Sequence, residues 1–250
     1  RSYSVTGVQT CALPILEDAM QQLAEVNQLK SNFVANISHE LRTPLTHIRG
    51  YLELFMAGDL GTLSAEQTRG LSVMLRSADR LGRLIDDLIL FSLSERGELQ
   101  IFPHALNLKL LCQLNLDRSY PKAREKNIQL QFKAAAELPN VMADEERISW
   151  VILHLLDNAI KFTEPGGLIM LELLQLGSEI EIAIQDTGIG IPADQQTAVF
   201  EPFRQLDGSS TRKQGGTGLG LALAQTIVQA HHSILRSEEH TSELQSPNTI

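Results

Sequence analysis

The sequence predicts an α+β chain: a helical hairpin that forms a four-helix bundle when two copies pair, followed by an α/β two-layer sandwich. Three observations carry this. Apolar residues recur at three-four spacing along two stretches of the first hundred or so positions, the period of amphipathic helices. From about Gly97 the pattern changes to shorter elements, among them the strict alternation of Ile180, Ile182 and Ile184. Strands there interleave with helical segments, which is the signature of a layered α/β domain.

The ends of the chain read differently from its interior. Val5–Ile15, VTGVQTCALPI, and Arg236–Ser246, RSEEHTSELQS, back-translate to one oligonucleotide and its complement, a common sequencing-library adapter. Residues 1–15 and 236–250 are therefore set aside as adapter-like before the fold is considered. The remainder, about 220 residues, suits two modest domains. Dropping Arg1, Arg236, Glu238, Glu239 and Glu243 moves the formal charge from −9 to −8. So acidic a chain lacks the basic charge that nucleic-acid binding needs, and no nucleic-acid partner is expected. Cys11 lies in the adapter-like stretch, which leaves Cys112 alone and excludes an intrachain disulfide, in keeping with a reducing cytoplasm. No apolar run spans a bilayer, so a membrane connection is expected only through a missing upstream region.

In chain order, Leu16, Ala19, Leu23, Val26, Lys30 and Phe33 predict a helical lead-in with a coiled-coil-like seam over 16–32. The stripe Phe33, Ile37, Leu41, Leu45, Ile48, Leu52, Phe55 follows, with a phase slip around His39 that locally unwinds a supercoil. After the loop Ala57–Gly61 comes a second stripe, Leu71, Met74, Ala78, Leu81, Ile85, Leu88. A single hairpin cannot bury both stripes, so a homodimer is expected. Further on, Ile148, Ile152, Leu155, Ala159 and Phe162 predict a helix between Asp144 and Phe162. Leu168–Leu173 and the Ile180–Ile184 alternation predict strands.

His39 lies nearly opposite the centre of its helical stripe and is expected to face solvent. Thr43 is one turn further on the same face, Glu40 is adjacent, and Pro44 removes the amide that would bond the Glu40 carbonyl, so a kink is expected. A lone helical histidine is ordinarily a surface or capping residue; a proline inside so periodic a helix beside an exposed histidine is not ordinary. The segment FVANISHELRTPLTHIRGYLEL, Phe33–Leu54, is similar to the H-box of sensor histidine kinases. That resemblance implies that His39 is the nucleophile, Glu40 its general base, and Thr43 the residue positioning water for dephosphorylation of the partner. Imidazole is substantially neutral near neutral pH and so available for attack.

Three later segments resemble the N, G1 and G2 boxes of the same family, which it shares with other Bergerat-fold ATPases. In HLLDNAIKFT, His154–Thr163, the resemblance implies that Asn158 binds Mg2+ through its amide oxygen and that Lys161 meets ATP phosphates. The plainer alternative is an exposed ion pair between Asp157 and Lys161. Where His154 stands the family commonly has asparagine, so altered nucleotide affinity is expected, with His154 otherwise a helix-face residue satisfied by a neighbour. In DTGIGI, Asp186–Ile191, the resemblance implies that Asp186 accepts a hydrogen bond from the adenine amino group while Gly188 and Gly190 admit the base. In GGTGLGLALA, Gly215–Ala224, a glycine-rich loop enters an apolar helix; Gly216, Thr217, Gly218, Leu219 and Gly220 are its implied phosphate contacts. With VFEPFRQ, Val199–Gln205, it resembles the family's ATP lid, Phe200 and Phe203 packing the hinge. Arg204 and Arg212 read equally well as phosphate contacts or as solvated surface arginines.

The resemblance spans about 190 residues and implies a dimerisation and histidine phosphotransfer domain over 33–97 and an ATP-binding catalytic domain over 98–235. The implied activity is autophosphorylation of His39 by ATP with Mg2+, then transfer to an aspartate of a response regulator receiver domain, in the cytoplasm. The alternative is a weakly catalytic dimeric scaffold or a phosphatase-only homologue. Family members continue past the last helix with a strand hairpin that this chain replaces with adapter-like sequence, so the ATP domain is expected to lack its C-terminal strands and to be poorly stable.

Overall fold

A computed structural model of the chain describes residues 9–205 and 217–237, without the side chains of residues 9–16, 19, 20, 23, 24, 27–36 and 39 in the first helix. The chain divides into two units, Arg1–Leu99 and Gln100–Ile250.

The first unit is a helical hairpin. Helix α1, Gln9–Ala57, is one element of 49 residues, so the lead-in and the H-box segment are continuous, and the helix starts inside the adapter-like stretch. It ends where Gly58 and Gly61 take φ of 86° and 116°, values that side chains with a Cβ rarely adopt. Helix α2, Ala65–Glu95, starts with a reciprocal capping box: the Gln67 amide donates to Ser64 Oγ and the Ser64 amide donates to Gln67 Oε1. Leu45, Leu52, Ala78 and Ile85 form the buried seam, with Leu71, Leu75 and Ile89 packed on it.

The rest of both expected stripes is not covered by this pairing. Ile37, Leu41, Ile48 and Phe55 on α1, and Met74 and Leu81 on α2, are exposed in the single chain. The hairpin thus buries only part of each apolar face. Asp87 on α2 shows the electrostatic side of the same packing: burial, and then the neighbouring Asp86 carboxylate, push its carboxyl up to about 6 although Arg83 pulls the other way.

The second unit is built on a mixed sheet. Strands β2 (Gln129–Ala134) and β4 (Leu168–Leu176) pair in parallel, β4 and β5 (Glu179–Asp186) antiparallel, in the order β2-β4-β5. Strands β1 (His104–Leu106) and β3 (Val141–Ala143) form a separate antiparallel pair. Helix α3, Leu108–Glu125, and helix α4, Glu145–Phe162, share one core with the sheet: Leu111, Cys112 and Leu116 meet Ile152 and Leu156 over Ile169, Leu171 and Leu173. The Cys112 thiol is driven up to about 12 by burial and stays protonated. A short 3-10 turn, Ala198–Phe200, precedes helix α5, Gly220–Ala230, which packs on α4. Among the described residues no strand follows α5.

Two expectations need adjustment. The buried face of α4 is Val151, Ile152, Leu156, Ala159 and Ile160, so Ile148, Leu155 and Phe162 of the expected stripe are only partly buried. The helix is covered on two sides, by α3 with the sheet and by α5, and a wider buried arc displaces the single stripe read from the sequence. The strands also run longer than their alternation suggested, because β4 is central and its continuous apolar run lies between two partners.

Both ends of α4 are pinned. Asp144 caps its start, Oδ1 accepting from the Arg147 amide while Oδ2 accepts from the Phe102 amide, and those bonds hold its carboxyl below the usual range although burial opposes them. At the other end Lys126 Nζ donates to the carbonyls of Ile160 (2.8 Å), Lys161 (2.8 Å) and Thr163 (3.2 Å). A cation on the last carbonyls of a helix is favoured by both hydrogen bonding and the helix dipole.

Removing that cation in Lys126→Met is expected to lower the unfolding free energy of the second unit by about 1–2 kcal/mol, and Leu156→Ala by about 2–5 kcal/mol, both read from denaturant titration. Asp87 predicts a pH dependence in the hairpin. Between its ordinary value of 3.8 and about 6 the folded chain keeps a proton that the unfolded chain has released. Its stabilising contribution is therefore complete below the lower value and lost as pH rises through the upper one. Asp87→Asn is expected to raise the hairpin's melting temperature at about pH 7.5 and to flatten its rise on acidification to about pH 5.

Candidate functional site

In the first unit, His39 sits in the body of α1, and its side chain lies outside the described residues, as does its expected solvent orientation. Its neighbours are described. Glu40 and Thr43 are exposed on the helix, as is Pro44, whose position leaves the Glu40 carbonyl without its intrahelical donor. Ser38 is fully buried, so the outer and inner sides of the helix are distinguished within this one turn. Arg42, one turn from His39, is held by a charge-assisted hydrogen bond to Asp86 of α2.

In the second unit, helix α4 touches both glycine segments. Its last residue meets the first: a Cβ at Gly188 would lie 2.7 Å from the Phe162 carbonyl oxygen and 2.6 Å from Asp186 Oδ1. Asp186 ends β5 with an exposed carboxylate whose Oδ1 accepts from the Gly188 amide at 2.8 Å. Glycine at 188 is thus required by the close packing of this turn on the end of α4, a reason additional to the one expected. Gly190, by contrast, has open space and a φ of 68°.

Two turns earlier on α4, His154 meets the second segment. Its imidazole stacks on Trp150, ring centroids 5.1 Å apart and planes 10° from parallel. Its edge lies against Gly220, where an added Cβ would be 1.8 Å from both Cε1 and Nε2. Burial lowers its basicity, Asp157 opposes that and Lys161 adds to it. The sequence placed His154 on a helix face without seeing Trp150, although the spacing of four between them was visible.

Asn158 is half-buried, and its amide makes no hydrogen bond among the described residues. Lys161 Nζ lies 4.6 Å from the Phe162 ring centroid. The alternative ion pair between Asp157 and Lys161 is not formed: Asp157 binds Lys122 of α3, Nζ reaching Oδ1 at 2.6 Å and Oδ2 at 2.7 Å. Thr163, which closes this segment, has a buried hydroxyl with no hydrogen-bond partner among the described residues, a feature that the sequence left unassigned. Next to it Gly167 admits no Cβ, which would fall 2.4 Å from Thr163 Cγ2.

Of the lid segment, the two described ends meet. The Phe203 amide donates to the Gly218 carbonyl at 2.9 Å, and Phe203 adopts a φ of 64°. Phe200 is partly buried and Phe203 is 57% exposed. The Phe203 backbone is closely approached by Gly218, where an added Cβ would lie 2.7 Å from the Phe203 carbonyl carbon. Arg204 is engaged by Glu201. Thr217, Gly218, Leu219 and Gly220 lead into α5, with Leu219 buried; Arg212 and Gly216 lie outside the described residues.

Two family models match the chain. The His Kinase A (phospho-acceptor) domain covers residues 29–97, and the histidine kinase-, DNA gyrase B- and HSP90-like ATPase covers residues 143–246, running into the adapter-like tail. The circadian input-output histidine kinase CikA of Synechococcus elongatus is 35% identical over 225 residues, covering 89% of this chain and 30% of that protein. The signal transduction histidine-protein kinase BarA of Escherichia coli K12 is 38% identical over 222 residues, covering 85% of this chain and 23% of that protein. The chain thus spans less than a third of the length of these relatives. Among solved structures, full-length ShkA in complex with AMPPNP matches with a TM-score of 0.65 and 29% identity over 80% of this chain and 41% of that one. Histidine kinase ThkA in complex with the response regulator protein TrrA shares the fold, with a TM-score of 0.57 at 21% identity over 96% of this chain and 65% of that one. With its phospho-acceptor hairpin, its ATPase unit and these relatives, the chain belongs to the sensor histidine kinases.

Proposed function

We propose that this chain binds ATP in its second unit, phosphorylates itself on His39, and passes the phosphoryl group to an aspartate of a response regulator receiver domain. The observation that carries the proposal is the convergence on α4. One helix bears Asn158 and Lys161, abuts the Asp186–Gly188 turn at Phe162, and abuts the start of α5 at His154. This convergence supports reading the three sequence boxes as one site.

The residues fit the group they are proposed to hold. Asp186 presents an exposed carboxylate to accept from the adenine amino group, and Gly190 leaves room for the base. Lys161 and the backbone amides from Thr217 to Gly220 supply positive charge and donors for phosphates. Asn158, its amide unpaired among the described residues, would hold Mg2+ through its amide oxygen, and the ion when bound neutralises phosphate charge. In the transfer, a neutral nitrogen of His39 attacks the γ-phosphorus, the bond to the ADP oxygen breaks, and Glu40 takes the imidazole proton. Positioning and charge neutralisation supply most of the catalysis in such reactions. Thr43, exposed one turn along, positions the water that removes the phosphoryl group from the partner. No described helix is long and apolar enough to cross a membrane.

The exposed apolar residues of the hairpin support a homodimer. Ile37, Leu41, Ile48, Met74 and Leu81 continue the buried seam outward, and a second copy completes a four-helix bundle.

The wild-type chain incubated with γ-labelled ATP and Mg2+ is expected to take up acid-labile, base-stable label, and His39→Gln to take up none. Undiminished label on His39→Gln, or nucleotide binding without any label on the wild type, contradicts the proposal; the latter outcome describes a scaffold. Light scattering is expected to show a dimer for the wild type and a monomer for the double variant Ile48→Glu/Leu81→Glu, because two carboxylates on that face would have to be buried unpaired.

A further inference from the structure

We infer that His154 is a positioning residue for nucleotide binding, acting through Gly220: its imidazole occupies the space a side chain at 220 would need and so sets where the phosphate-facing start of α5 lies. The inference rests on the ATP site proposed above and assigns a task to the residue at which this chain departs from the family's usual asparagine.

The packing is specific. Cε1 and Nε2 stand where the Cβ of any other residue at 220 would fall, at 1.8 Å. The ring cannot swing aside freely, because one face is stacked on Trp150. Nor can α5 retreat, since Ala222, Leu223, Ala224 and Ile227 along it are buried. The imidazole edge and the glycine Cα therefore interlock between two helices whose other faces are fixed. Asparagine is shorter than histidine and has no ring to stack, so in its place the same space would be left partly open. The start of α5 presents free backbone amides and the positive end of the helix dipole, both of which bear on phosphate binding. A shift of a few tenths of an ångström there changes what those amides reach.

A double-mutant cycle tests this, using the full chain with Gly220→Ala, His154→Asn and the two combined. Affinity for Mg-ADP, and for ADP with chelator present, is followed by the fluorescence of Trp150, the chain's single tryptophan. Gly220→Ala alone is expected to weaken binding about ten-fold, but by less than about three-fold when His154→Asn has made room. The same coupling is expected with and without Mg2+, because the interlock is steric. In autophosphorylation assays Gly220→Ala is expected to raise KM for ATP while leaving kcat near the wild-type value, whereas misfolding of part of the sample would lower apparent kcat and leave KM alone.

Equal losses from Gly220→Ala in both backgrounds would overturn the inference, as would a coupling that vanishes when Mg2+ is removed, since that would make His154 a metal-side residue. If the wild type bound no nucleotide, the proposed ATP site would fail, and the interlock would still be read from melting temperatures of the four ligand-free proteins. Additive shifts there would remove it, and rescue of Gly220→Ala by His154→Asn would retain it.

Discussion

Helix α4 is the constraint on which the second unit depends. Its start is capped by Asp144 and the carbonyls at its end are held by Lys126. Its buried face is locked into the shared core with α3 and the sheet. The proposed nucleotide site is built on this rod: Asn158 and Lys161 ride on it, and the two glycine segments rest against it at Phe162 and His154. The Lys122–Asp157 pair adds a tie to α3, exposed and so worth only a few tenths of a kcal/mol by itself, yet it takes Asp157 away from Lys161.

The hairpin obeys a different constraint. Two antiparallel helices have one mutual face, while each of these carries apolar residues over an arc wider than that face can cover. Leu45 against Ala78 and Ile85 satisfies part of the arc; Ile48, Met74 and Leu81 are left with water unless another copy arrives. Asp87 shows that even inside one hairpin the packing is tight enough to disfavour charge on a carboxyl group. An assembly that buries further surface strengthens that effect, since desolvation is its leading cause.

How much of this could be read beforehand depended on whether a feature was local. The helices of the hairpin, α4, β4 and β5 followed from periodicity, and the proposed site residues were read from four short segments whose order resembles one family. What escaped was non-local. Helix α3 carries seven buried residues, among them Asn115 and Ser119, and such polar members blur the apolar period on which the reading depended. Strand β2 is short and half-exposed, and its place in the sheet comes from pairing with β4, nearly forty residues on. Lys126 looked like any surface lysine, because only the fold brings the end of α4 to it. His154 was recognised as a departure but not as a packing element, since its partner Gly220 is remote in sequence and became adjacent only when α5 docked.

The glycines show why a motif can be legible while its reason is not. All were first assigned to ligand approach, yet three of them are already required by the protein's own packing. A Cβ at Gly188 would strike the Phe162 carbonyl, and one at Gly218 would lie 2.7 Å from the Arg204 carbonyl oxygen, in a residue whose φ of 71° already disfavours side chains. Those collisions are with backbone, which no substitution elsewhere can remove. At Gly220 the obstacle is a side chain, and a side chain can be exchanged. Only that position can therefore trade with a partner, the small residue at 220 permitting the large ring at 154. The ring at 154 therefore fills the space that the missing side chain at 220 leaves open, at the point where two segments of the proposed site meet.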